Sequence, residues 1–145
     1  TRLVDMGVEP FLISSSVIAS ISQRLARQIC PHCKQPYEPR RDIMLGLGID
    51  PDDPETKEIT FYQGTGCDSC RGTGYRGRIG LFELMEMTEE IAELIVRRAS
   101  AGQIREAAIA SGMITLREDG IDKVLNGITT VEEVTRVVST AGAYT

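Results

Sequence analysis

From Thr88 onward the apolar residues recur at three- and four-residue spacing. The sets are Ile91, Leu94 and Ile95, then Ile104 and Ala108, then Leu116, Ile121, Val124 and Leu125, then Val131, Val134 and Val138. That period is the signature of amphipathic helices, and the start signals agree with it. Thr88 precedes Glu89 and Glu90, and three capping boxes follow: Ser100 with Gln103, Thr115 with Glu118, and Thr130 with Glu133. Gly112 and Gly127 mark stops. None of these stripes can bury itself singly, so a four-helix packed unit is expected. At the front, Pro10 suits the first turn of a helix. Val17, Ile18, Ile21, Leu25 and Ile29 continue the helical spacing as far as Cys30. Arg2 to Met6 reads as a last helical turn closed by Gly7, and the opening at Thr1 without an initiator Met reads as a piece of a longer protein.

The middle of the chain is patterned differently. Pro31, Pro36 and Pro39 interrupt it, Arg40 to Leu47 suits a short helix stopped by Gly46 and Gly48, and residues 50–55 read as an exposed loop. Ile59–Tyr62 and Arg78–Met87 are β-prone, and the two are expected to pair antiparallel.

That middle region holds all four cysteines, as Cys30-Pro-His-Cys33 and Cys67-Asp-Ser-Cys70. Each Cys-x-x-Cys sets two sulfurs on one tight turn, so two such turns supply a tetrahedral metal site, for which zinc is the default occupant. The interval of residues 34–66 is longer than the usual zinc-ribbon spacing. An iron–sulfur cluster uses the same ligands. Two disulfides would need an oxidising compartment, and no signal peptide or transmembrane run is visible. The second pair is superfluous to a thioredoxin-like redox site. Structural zinc in finger peptides contributes on the order of 10 to 16 kcal/mol, so residues 34–66 are expected to lose their shape without metal. The fold class that results is α+β and mostly α: a C-terminal helical bundle with a small zinc-stapled subdomain carrying a short antiparallel strand pair.

A hydrophobic content of 41%, a charged content of 26% and a net charge of -5 describe a soluble protein and argue against nucleic acid as a partner. The charge is unevenly spread. Arg24, Arg27, Lys34, Arg40 and Arg41 face only Glu38 around the first cysteine pair, and Arg71, Arg76 and Arg78 follow the second. Asp50, Asp52, Asp53, Glu55 and Glu58 form an acidic loop, and Glu83, Glu86, Glu89, Glu90 and Glu93 an acidic segment. A solvated face and a protein or phosphate docking surface both fit. The single histidine, His32, lies inside a cysteine pair, and no catalytic constellation or Walker loop is present. Catalysis by this chain alone is not expected. The glycines of Cys70-Arg-Gly72-Thr-Gly74 are placed to turn backbone N–H groups toward sulfur.

Several stretches carry a resemblance. Arg2-Leu-Val-Asp-Met-Gly-Val-Glu-Pro10-Phe-Leu, Gln23-Arg-Leu-Ala-Arg27 running into the first cysteine pair, and Gly72-Thr-Gly-Tyr-Arg-Gly-Arg-Ile-Gly-Leu-Phe-Glu83 resemble the secretion and pilus-assembly ATPases. So do Met113-Ile-Thr-Leu-Arg-Glu-Asp-Gly120 and Gly127-Ile-Thr-Thr-Val-Glu-Glu-Val134. The resemblance spans the whole chain and implies the C-terminal region of a hexameric P-loop motor for type II secretion or type IV pilus extension. It implies that residues 1–29 end the ATPase core and form a connecting helix, that 30–87 form the tetracysteine subdomain, and that 88–145 form a helical subdomain. By the same resemblance Cys30, Cys33, Cys67 and Cys70 bind structural zinc, while ATP and Mg2+ bind upstream of Thr1. Gln23, Arg24 and Arg27 face the core or a neighbouring subunit. The implied partners are the ATPase core, the other subunits of a homohexamer and inner-membrane platform proteins, with no nucleic acid and no membrane insertion. The implied location is cytoplasmic, peripheral to the inner membrane. Two other readings are a zinc module like that of the chaperone J-proteins, which needs several Cys-x-x-Cys-x-Gly-x-Gly repeats where this chain has one, and a nucleic-acid-binding zinc ribbon.

Overall fold

A computed structural model describes residues 2–142, with side chains through Ser139; the opening at Thr1 and the last residues of the expected helical subdomain, 143–145, lie outside them. Among the described residues the helices are α1 (Arg2–Asp5), α2 (Pro10–Ser16), α3 (Arg41–Leu47), α4 (Pro54–Lys57), α5 (Glu89–Val96), α6 (Ala101–Ala110), α7 (Leu116–Leu125) and α8 (Val131–Gly142). The strands are β1 (Ala19–Ile29), β2 (Lys34–Pro36), β3 (Tyr62–Gly64) and β4 (Tyr75–Glu86). The protein is therefore α+β, with two sheets of two strands each.

The four C-terminal helices start at the predicted signals. Thr88 accepts from the Ile91 N–H at 3.2 Å, and Ser100 and Gln103 close a full capping box. Short α3 ends where Gly48 enters the left-handed region at φ 86°. Residues 50–55 are exposed apart from half-buried Pro51, and run into the single turn of α4, capped by Asp53 accepting from Glu55 N–H at 2.8 Å.

Three expectations are corrected. Helix from Pro10 to Ile29 gives way after Ser16, and Ala19–Ile29 is a strand. The stretch also carries a partial period of two, with Ala19, Ile21, Leu25 and Ile29 apolar and Gln23 and Arg27 interrupting it, and pairing with β4 chooses between the two periods. The Met87 N–H bonds Ile18 C=O at one end of that ribbon and the Cys30 N–H bonds Gly74 C=O at the other, both at 2.9 Å, so it runs antiparallel. The two β-prone runs do not pair with each other. β3 instead pairs antiparallel with β2, Lys34 opposite Gly64 and Pro36 opposite Tyr62, because the cysteine turns bring those segments together. Finally, the four tail helices do not share one core.

The chain divides into two units. In the unit formed by the stretch up to Ser22 and Phe82–Thr115, α5 packs on α2 and on α6. Its core is Ile91, Ala107 and Ala108, flanked by Met85, Met87, Leu94, Ile95, Ile104 and Met113. It also contains a cavity of about 610 Å³ whose lining includes Ile13, Val17, Met85, Ile95 and Met113.

The unit of Gln23–Leu81 and the stretch from Leu116 holds α7 and α8, which pack on each other, while α8 also packs on α3. A Cβ at Gly120 would collide with Val134, so only glycine allows this approach of the two helices. Met44, Leu47, Ile49 and Phe61 from the interval between the cysteine pairs join Val124, Val131 and Val134 in one buried cluster. The interval thus has an apolar anchor of its own, which the expectation of shape by metal alone did not foresee.

Candidate metal centre

The two cysteine turns are built differently. Cys30 follows the last residue of β1 and turns through Pro31 and His32 to Cys33, which leads into β2; His32 is exposed. Cys67 opens a 3-10 turn over Asp68–Cys70, which ends with Arg71 in the left-handed region at φ 53°. The four sulfurs lie within 4.8 Å of one another. Cys30 Sγ to Cys67 Sγ and Cys33 Sγ to Cys70 Sγ are 3.8 Å, and Cys67 Sγ to Cys70 Sγ is 3.7 Å. A tetrahedral ion with metal–sulfur bonds of about 2.3 Å needs sulfurs about 3.8 Å apart. No pair approaches the ~2.05 Å of a disulfide, and all four cysteines are free. Multi-iron clusters spread their thiolates over several irons and so hold them farther apart, which makes a single ion the better fit to this spacing.

The surroundings of Cys70 suit thiolate. Cys30, Cys33 and Cys70 are buried and Cys67 is partly so. Cys70 Sγ accepts from the N–H groups of Cys67 at 3.2 Å and Gly74 at 3.3 Å. A side chain at Gly74, with φ 76°, would strike the Gly64 carbonyl oxygen, so glycine is what lets this N–H reach the sulfur. Burial pushes the Cys70 thiol up, but those N–H groups and the neighbouring thiols outweigh it and hold it at about 6. Cys33 goes the other way: burial pushes it up to about 11 despite the N–H of Gly66. The opposite shifts of Cys33 and Cys70 fall within one cluster, which a divalent cation would make uniformly anionic.

Gln23, Arg24 and Arg27, expected to face the core or a neighbouring subunit, are all exposed, and Arg27 is in addition bonded within the chain. Its guanidinium donates to Glu133 Oε2 at 2.7 Å and lies 4.2 Å from the Tyr75 ring centroid. Glu133 is only 1% exposed, yet each of its oxygens accepts two bonds. Oε1 takes Arg27 N–H at 3.0 Å and an Arg136 Nη at 2.6 Å; Oε2 takes the Arg27 guanidinium and Arg136 Nε at 3.1 Å. Burial pushes this carboxyl up, but the Arg136 and Arg27 guanidiniums and the Arg27 N–H bring it down to about 2. By its sequence position Glu133 is the third residue of a capping box. Its N–H does bond Thr130 Oγ1 at 3.2 Å, but its carboxylate is spent on the arginines. No local spacing distinguishes the two uses.

The family model described as "Type II/IV secretion system protein" matches residues 1–136. The chain is 48% identical over 134 residues to the type IV pilus assembly ATPase PilB of Thermus thermophilus, covering 92% of this chain and 15% of that protein. It is 45% identical to the type II secretion system protein E of Pseudomonas aeruginosa and 44% identical to the type II secretion system ATPase E of Vibrio cholerae. Each alignment covers 94% of this chain and 26% of the relative. The chain thus spans about a quarter or less of the length of these relatives. They do not favour the J-protein or nucleic-acid readings.

Proposed function

Because this chain belongs to the Type II/IV secretion system protein family, we propose that it is the C-terminal domain of a hexameric P-loop ATPase that powers type II secretion or type IV pilus assembly. Within it Cys30, Cys33, Cys67 and Cys70 hold a structural zinc. The observation that carries the second part is the convergence of four otherwise uncommitted sulfurs at the spacing of one tetrahedral ion. Zinc supplies a redox-inert cross-link there. The residues around it favour thiolate at Cys70, with Gly74 and Cys67 lending it N–H groups, and the glycine contact of residues 64 and 74 lets the two turns close.

In this reading the domain performs no chemistry of its own. ATP and Mg2+ bind to parts of the motor outside residues 1–145, and the domain serves them by packing against the ATPase core and neighbouring subunits. The motor works on the cytoplasmic side of the inner membrane, against platform proteins of the secretion or pilus system. Among the described residues no helix is long and apolar enough to cross a membrane. In chain order the cysteine-bearing stretch 30–87 lies between the end of the core, 1–29, and the helical tail, 88–145, whose helices divide between the two units.

One experiment tests both parts. The 145-residue chain, purified reduced and without chelator, should carry one zinc per chain and show no ATP turnover above blank. A longer protein containing it should carry the same zinc and hydrolyse ATP. Metal near zero in folded material sinks the zinc assignment, and a longer protein with no Mg2+-dependent turnover sinks the motor.

A further inference from the structure

The tetrathiolate reading leaves open what holds its two turns in register, and the answer lies outside both of them. Resting on that reading, we propose that Glu133 is a positioning residue for the four-cysteine site, holding together the two chain segments that deliver Cys30 and Gly74. It offers the site no ligand, and its action runs through backbone.

Arg27 precedes Cys30 by three residues, and the start of α8 with the residues just before it fastens that stretch at three points. Arg27 N–H donates to Glu133 Oε1 at 3.0 Å, Thr129 Oγ1 donates to Arg27 C=O at 2.8 Å, and Ile29 N–H donates to Ile128 C=O at 2.9 Å. The other segment is fastened beside it. Tyr75 shares a 2.7 Å hydrogen bond with Thr130 Oγ1, the same oxygen that receives Glu133 N–H, and its ring lies against the Arg27 guanidinium that Glu133 holds. Tyr75 adjoins Gly74, whose C=O accepts from Cys30 N–H at 2.9 Å and whose N–H donates to Cys70 Sγ. One buried carboxylate is therefore linked, through Arg27 on one side and Thr130 and Tyr75 on the other, to backbone adjoining both cysteine turns. Such outer contacts orient ligands and tune their grip on an ion.

The test is zinc release from the full 145-residue chain to a chromogenic chelator, with the absorption of the cobalt-substituted site recorded in parallel. Glu133→Gln keeps the shape but replaces two acceptor sites with donors facing donors. It should release zinc about tenfold faster and alter the cobalt spectrum. Tyr75→Phe, which loses only the hydroxyl, should show a smaller change of the same sign, and it carries the test if Glu133→Gln does not fold. Leu47→Ala removes buried volume from the same unit and breaks none of these bonds. It should lower stability while leaving release and spectrum as in the wild type. Wild-type release from Glu133→Gln and Tyr75→Phe, or equal acceleration in Leu47→Ala, overturns the positioning role. A wild-type chain that takes up no metal overturns the tetrathiolate reading itself, together with what rests on it.

Discussion

The two units of this chain are held together by different means. In the unit of Gln23–Leu81 and the stretch from Leu116, buried residues form three clusters: the apolar one around Val131 and Val134, a second around Ala26 and Leu81, and the cysteines. Its polar bonds span long stretches of chain, as when Arg27 meets Glu133 and when Tyr37 donates to Glu132 at 2.7 Å. Burial and that carboxylate push the Tyr37 phenol up. The unit of the stretch up to Ser22 and Phe82–Thr115 has one cluster, two of whose three fully buried members are alanines. It carries most of the large exposed apolar side chains, among them Met6 at 78%, Phe11 at 70%, Ile18 at 87% and Ile114 at 62%. Burial contributes roughly 25 cal/mol per Å² of apolar surface, so a core closed by alanines is thin. The unit with the candidate metal centre joins remote segments by polar bonds and converging cysteines as well as by an apolar cluster, whereas the other packs α2 on α5 over a thin core, caps its helices locally and leaves much apolar surface uncovered.

Breaking the proposed metal cross-link should be the largest perturbation. Cys70→Ser leaves three thiolates for the proposed ion, whose binding would be worth on the order of 10 kcal/mol, and it replaces the sulfur that accepts two N–H bonds with a smaller hydroxyl. Proteolytic cuts should appear at residues 30–36 and 64–74, while α3 stays protected because Met44 and Leu47 have their own core. The α5–α6 pair should keep its resistance. A fragment pattern identical to the wild type would sink the metal cross-link, and cuts inside α3 would show that the apolar anchor does not hold without metal.

Acid sharpens the contrast through Glu133. A carboxyl held at about 2, below the ordinary Glu value of about 4.3, stabilises the fold above the ordinary value and stops doing so as pH falls through the lower one. The contribution, roughly 2 to 3 kcal/mol, should be present at neutral pH and decline between about pH 5 and pH 2. Glu133→Gln should lack that limb. Denaturant titrations of both proteins across this range, with bound zinc measured alongside in each, give the difference at equal metal content. Parallel pH curves would remove Glu133 from the account.

The smallest expected effect belongs to the other unit. Ser100→Ala deletes one half of a full capping box and should cost about 1 kcal/mol, read as earlier exchange of the α6 amides. Zinc release from Cys30, Cys33, Cys67 and Cys70 should not change. A shift in release caused by this exposed cap would mean that the two units do not differ in the way described.

Much of this was legible in residue order. The four cysteines, the starts of α5 and α6 at Thr88 and Ser100, and the stop of α3 at Gly48 are encoded within a few neighbouring residues, where spacing alone carries the physics. Residues 19–29 carried a helical period and a partial strand period, and only pairing with β4 decided between them. The partners of the strands, the division of the four tail helices between two cores and the apolar anchor of residues 34–66 all depend on contacts far apart in the chain. Glu133 shows the reason most plainly. Its place after Thr130 has the form of a cap, but a buried carboxylate needs every lone pair filled, and the guanidinium and N–H of Arg27, 106 residues away, reach it only after the chain has folded.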